Sequence, residues 1–149
     1  MVTGSSQGIG RAYALELASR GLNVALVARS KERLEAVAAE VRSHGVEARV
    51  VVVDFTQTAA AETAVAELAR AGVADIGVLV NNVGMMGPHF LPFLELEAAA
   101  ARDMVTVNCV AATVLTHSLL PAMLARGRGA VVNIVSSTSF YVIIYFCNL

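Results

Sequence analysis

The sequence predicts an α/β fold, a doubly wound parallel sheet of about five strands, from three observations. A glycine-rich turn, Thr3-Gly4-Ser5-Ser6-Gln7-Gly8-Ile9-Gly10, stands between a short apolar start and a helically periodic run. Branched apolar runs of strand length then alternate with segments of helical spacing, a rhythm that implies parallel strands joined by helices. Charged residues make up only 15% of the chain and the mean hydropathy is +0.65, apolar enough for strands buried on both faces.

At 149 residues the chain fits one domain with a sizeable core. A formal charge of −1 with both signs scattered argues against a nucleic-acid partner, which calls for a basic face. Apolar stretches such as Val50 to Val53 and Val131 to Val135 fall far short of the roughly 20 residues of a membrane span. Met1 leads straight into the glycine turn without the basic and apolar regions of a secretory signal, so the expected location is cytoplasmic. Cys109 and Cys147 are a distant pair without CxxC spacing, and His44, His89 and His117 are scattered; buried thiols and no metal site are the expectation.

Each element follows from local pattern. In the glycine turn, Gly4 allows a sharp turn, Gly8 clears the approach for a pyrophosphate, and Gly10 permits close packing. The next helix, from Arg11, aims its free N–H groups at the same place; Ala14, Leu17 and Ala18 form its inner stripe and Gly21 its stop. Leu22 to Ala28 reads as a buried strand. Ser30 caps a helix with inner face Leu34, Val37, Ala38 and Val41, stopped at His44-Gly45. Glu47 to Val53 is the third strand, and Thr56 or Thr58 caps a helix that turns Ala61, Val65 and Leu68 inward and ends at Gly72. Ile76 to Val80 is the fourth strand, followed by Asn81-Asn82-Val83-Gly84 and a looser region with Pro88 and Pro92. From Ala98 to Arg126 a long helix is apolar on nearly every side, with Pro121 expected to kink it, and Ala130 to Val135 is the fifth strand.

Ligands in this architecture lie at the carboxyl ends of the strands. Arg29, past the second strand, suits an extra phosphate on the adenosine ribose, where an acid would suit the bare hydroxyls. It reads equally as a solvated helix-start residue. Asp54, past the third, is either a hydrogen-bond acceptor for an adenine amino group or a strand terminator. Asn81 to Gly84 follow the fourth, with short amides to brace backbone and Gly84 leaving room for a flat ring, or form a plain turn. Met85, Met86, Phe90 and Phe93 suit an apolar pocket wall or core.

Together these residues resemble the short-chain dehydrogenase/reductase family. Thr3 to Gly10 match its TGxxxGIG, Asn81 to Gly84 its NNAG with Val83 for Ala, Asn108 its helix-borne Asn, and Ser136 its catalytic Ser. GLNVALVARS, VVVDFT, IGVLVNNVGM, VNCVAATVLTHSLLPAML and GAVVNIVSSTS look like the hydroxysteroid dehydrogenase and beta-ketoacyl-CoA reductase branch. The resemblance implies an NADP-binding Rossmann domain over 1–139, with 140–149 a divergent apolar tail. It implies hydride transfer between NADP(H), rather than NAD(H), and a ketone or secondary alcohol of steroid or 3-oxoacyl type. Gly4, Ser5, Ser6, Gly8, Ile9, Gly10, Arg29, Asp54, Asn81, Val83 and Gly84 would bind the cofactor, with Ser136 and Asn108 catalytic and Ser137 a second candidate for the serine. Gln7 lacks the extra positive charge that many NADP-binding members carry before the second glycine.

In that family Ser136 would hold the substrate carbonyl, a Tyr thirteen residues later would give the proton, and a Lys four further on would lower its pKa. Asn108 would link that Lys to solvent through a water. Thirteen past Ser136 is Leu149, and neither Tyr13, Tyr141 nor Tyr145 has Lys at the fourth position on. The expectation is a chain cut at both ends, incomplete in its sheet and inactive by itself. The alternatives are a catalytically dead relative that binds dinucleotide or a full-length partner, and a non-functional truncated product. The family further suggests a homo-oligomer through the long helix, and endoplasmic reticulum association if additional segments are present.

Overall fold

The computed structural model describes residues 1–73, 75–86 and 93–136. Val2–Thr3 (β1), Val24–Ala28 (β2), Ala48–Val52 (β3), Val78–Asn81 (β4) and Ala130–Asn133 (β5) form one sheet in the order β3-β2-β1-β4-β5. Every pairing is parallel, as the strand and helix alternation implies. The helices are Gly8–Ser19 (α1), Lys31–Arg42 (α2), Ala60–Arg70 (α3), Ala98–Val105 (α4) and Ala111–Ala125 (α5), with one π-helical stretch, Thr106–Val110, joining the last two and a 3-10 turn at Phe93–Glu95.

Strand periodicity sorts the core into two layers. Val24, Leu26 and Ala28 of β2 join Ala14 and Ala18 of α1 and the α2 stripe Leu34, Val37, Ala38 and Val41. Ala25 and Val27 point the other way, into a layer with Ala61, Ala64 and Leu68 of α3 and with Val107, Ala111, Leu115 and Met123 of the long helical run. All five β2 residues are therefore buried, the two-sided burial expected of a parallel sheet.

β1 holds the centre with only two residues. Val2 pairs with both Leu26 and Val80, and the Met1 amino group donates to Val78 O at 2.8 Å. Burial pushes that amine down from 8.0 to about 5.

Several boundaries differ from the sequence reading. α1 starts at Gly8 rather than Arg11, so the last two glycines of the turn are already helical. Neither Thr56 nor Thr58 caps α3; its N-cap is Ala59, at φ 57, because Thr56 gives both its N–H and its hydroxyl to Asp54 Oδ1 at 3.0 Å. Asn81 lies within β4 rather than past it. The long helix runs through Pro121 to Ala125, and its departure from α geometry lies at Thr106–Val110. There the Thr106 and Thr113 hydroxyls donate to the carbonyls of Arg102 and Cys109, four residues back, a contact that bends helices. Ala98–Ala125 is long and apolar enough by length and composition to cross a membrane, which the short apolar runs did not suggest. Its buried residues pack on the sheet, while Val105, Val110, Leu120 and Leu124 are exposed.

Candidate functional site

The carboxyl ends of β1, β2, β4 and β5 lie side by side and bring the sequence-predicted residues to one edge of the sheet. The glycine turn leaves β1 and is stitched to β2, Gly4 N and Ser5 N both reaching Val27 O at 2.8 and 3.4 Å. Gly4 and Gly8 take φ of +63 and +56, the left-handed region that disfavours side chains. A Cβ on Gly10 would sit 2.4 Å from both Gly4 O and Asn82 Nδ2, whereas one on Gly8 would meet nothing within 4 Å. Gly10 thus closes the turn, and Gly8 borders open space. The first N–H groups of α1 have no partner within the helix and face that space. Ile9 is 58% exposed beside it. Ser5 is fully buried and its hydroxyl has no hydrogen-bond partner among the described residues, while Ser6 is half-buried. A cradle of backbone donors with one side left clear fits the pyrophosphate of a dinucleotide.

Thr3 and Asn82 hold this turn against β4. The Thr3 hydroxyl donates to Val80 O at 3.2 Å and accepts from the N–H groups of Asn82 at 2.9 Å and Val83 at 3.0 Å. Asn82 returns its side-chain amide to Thr3 O at 2.9 Å and Gly4 O at 3.3 Å. Neither residue was singled out from sequence as a site residue. The adjacent amides were a signal for backbone bracing, but the partners stand 78 to 80 positions away.

Asn81 has a different job from its neighbour. Its side-chain amide is buried and donates to Thr116 Oγ1 at 3.1 Å and Asn133 Oδ1 at 2.9 Å, tying β4 to α5 and β5. Val83 packs against the core and Gly84 is exposed, 3.4 Å from Asn108 Oδ1 when a Cβ is placed on it. Asn108 lies in the π stretch and pairs with the backbone of Met85, accepting from its N–H and donating to its carbonyl, both at 2.8 Å. Its amide therefore anchors the loop past β4. Ser136 is exposed, three residues beyond the end of β5.

Arg29 is exposed past β2 and Asp54 is half-buried past β3. Asp54 Oδ1 is taken up by Thr56, which leaves Oδ2 as the oxygen able to face a ligand. Met85 is half-buried and Met86 exposed. Ser137, Tyr141, Tyr145, Phe90 and the 140–149 tail lie outside the described residues, as does the side chain of Phe93. A cleft of about 790 Å³ opens at the opposite edge of the sheet, between Met1, Val24, Ile76 and Arg126. None of the residues above lines it.

Comparisons with known proteins bear on this geometry. A family model described as short chain dehydrogenase matches residues 1–148. The inactive hydroxysteroid dehydrogenase-like protein 1 of Pongo abelii is 40% identical over 93% of this chain and 42% of its own length. The very-long-chain 3-oxoacyl-CoA reductase of Anas platyrhynchos is also 40% identical, over 95% of this chain and 46% of its own. The chain thus spans less than half the length of these relatives. A solved short-chain dehydrogenase from Sphingobium yanoikuyae, in complex with NADPH, superposes with a TM-score of 0.83 at 38% identity, covering 94% of this chain and 54% of that one.

Proposed function

The chain belongs to the short-chain dehydrogenase family, and from that premise we propose an oxidoreductase site that uses NADP(H) on a ketone or secondary alcohol of steroid or 3-oxoacyl type. The observation that carries this reading is the hydrogen-bonded frame running from Gly4 through Thr3 and Asn82 to Met85 and Asn108. It joins an anion cradle at one end to the loop past β4 at the other, the two places a dinucleotide must touch.

The nicotinamide cofactor supplies or accepts the hydride. The glycine turn and the first N–H groups of α1 bind its pyrophosphate. Arg29 pairs with the 2′-phosphate that distinguishes NADP from NAD, and Asp54 accepts from the adenine amino group. Val83 and Gly84 floor the nicotinamide ring, and the Ser136 hydroxyl donates to the substrate carbonyl oxygen. The steroid or 3-oxoacyl class is supported by the names of the relatives.

No tyrosine among the 149 residues is followed by lysine at the fourth position. These residues by themselves bind dinucleotide and orient a carbonyl without a tuned proton donor, and turnover by them alone is not expected. A second reading, a catalytically inactive dinucleotide-binding relative, is favoured by the word inactive in the name of one relative. Fluorescence titration of the chain with NADPH and NADH, followed by assays with a 3-oxosteroid and a 3-oxoacyl-CoA, tests the proposal. Tighter binding of NADPH without turnover is the expected result, and failure of both dinucleotides to bind at millimolar concentration would sink it.

A further inference from the structure

We infer that Arg33 is a specificity-determining residue, a second cation for the 2′-phosphate held over the phosphate turn by Gln7; this rests on the NADP(H) reading above. The first observation is where charge is left unspent. Arg11, Arg20, Arg42, Arg49, Arg70 and Arg126 all pair with carboxylates. Five cations make no ion pair among the described residues: Arg102 and Arg128, far apart in the chain, and the exposed Arg29, Lys31 and Arg33. These three stand together at the amino end of α2, with Glu32 the acid of its first turn. Cations are disfavoured there, because the helix dipole presents its positive end. An arriving anion relieves both the dipole and the clustered charge.

The second observation is a contact between distant parts of the chain. Arg33 Nη1 donates to Gln7 Oε1 at 2.8 Å, across 26 positions. Gln7 is the N-cap residue of α1 and precedes Gly8, so the contact brings a guanidinium to the rim of the turn that Gly4 and Ser5 fasten to β2. Gln7 is uncharged, and its carbonyl orients a charge borrowed from α2. A guanidinium has five N–H donors, and one bond to Gln7 leaves a planar edge for phosphate oxygens. Arg29 comes from the strand end and Arg33 from the next helix turn, so the two approach one phosphate from separate elements.

The test is calorimetric titration of the 149-residue chain with 2′,5′-ADP and with 5′-AMP, for the wild type, Arg33→Ala and Gln7→Leu. Arg33→Ala is expected to weaken 2′,5′-ADP by about tenfold, the scale of one charge-assisted contact, with 5′-AMP unchanged. Gln7→Leu is expected to lose part of the same preference, since Arg33 remains but is no longer held. Thermal melts of both variants at or above the wild-type midpoint show that folding is not the cause. If Arg33→Ala keeps the full preference, or weakens both nucleotides alike, the inference is overturned while the NADP reading stands on Arg29. A wild type that binds both nucleotides equally overturns the NADP reading and this inference together, and one that binds neither overturns the dinucleotide site itself.

Discussion

The side-chain amide of Asn108 pairs with both backbone groups of Met85, at 2.8 Å in each direction, as a neighbouring strand would. The loop past β4 thereby gains a ladder partner from a helix, at the one stretch where that helix is π-wound. Asn108→Ala removes both bonds and leaves two backbone groups to water. The expected loss is about 1 kcal/mol for these exposed bonds, with faster hydrogen exchange at the Met85 amide. Unchanged exchange at Met85 would show that the loop is held by something else.

Thr3 is buried and serves three partners through one hydroxyl. Thr3→Val keeps the shape and strips the hydroxyl, leaving the Asn82 and Val83 N–H groups unpaired in a partly buried setting, at a cost of about 1 to 2 kcal/mol. Thr3→Ser retains the hydroxyl and is expected to recover most of that loss. Urea unfolding of the pair separates the hydroxyl from the methyl group.

The two helical glycines of the turn should fail differently. Gly10→Ala forces a Cβ onto Gly4 O and Asn82 Nδ2, so both the fold of the turn and dinucleotide binding are lost. Gly8→Ala meets open space but sits at φ +56, a left-handed position that costs a side chain about 1 to 2 kcal/mol. That variant should fold and yet bind NADPH poorly, because its methyl enters the pyrophosphate approach. Normal NADPH affinity in folded Gly8→Ala would refute the cradle.

The Met1 amine gives a pH dependence with a definite sign. Its folded pKa of about 5 lies below the ordinary 8.0, so between those values the unfolded chain binds more protons. Stability is complete above pH 8 and falls as pH drops toward 5, by up to about 4 kcal/mol at the low end. Placing two apolar residues before Met1 turns the amine into an amide that can make the same bond to Val78 O. Unfolding midpoints at pH 8.5 and 6 should then converge; an equal drop in both proteins would assign the effect to other groups.

Much of this was legible in the chain because it is written in local period. The α2 stripe Leu34, Val37, Ala38 and Val41 is buried residue for residue, and the branched run of β2 is buried on both faces. What escaped sequence reading depends on partners far along the chain. Thr56 looks like a cap until Asp54 claims it. Asn81 and Asn82 are identical neighbours, yet strand alternation sends one to Asn133 and Thr116 and the other to Thr3 and Gly4. The contact of Gln7 with Arg33 has no local signature at all, since it joins positions 26 residues apart.

The two-residue strand at the centre of the sheet also sets the order of events in time. Met1 to Thr3 bond to Val78, Val80, Asn82 and Val83, separations of 77 to 80 residues. Loop-closure entropy must be met before such contacts return any energy, and topologies of this kind fold slowly. During synthesis Met1 to Thr3 have no β4 to meet until roughly eighty further residues have been made, which takes several seconds at cellular synthesis rates. Until then β2, β3 and their helices can assemble, and the glycine turn, made before any of them, is among the last of these elements to be fixed.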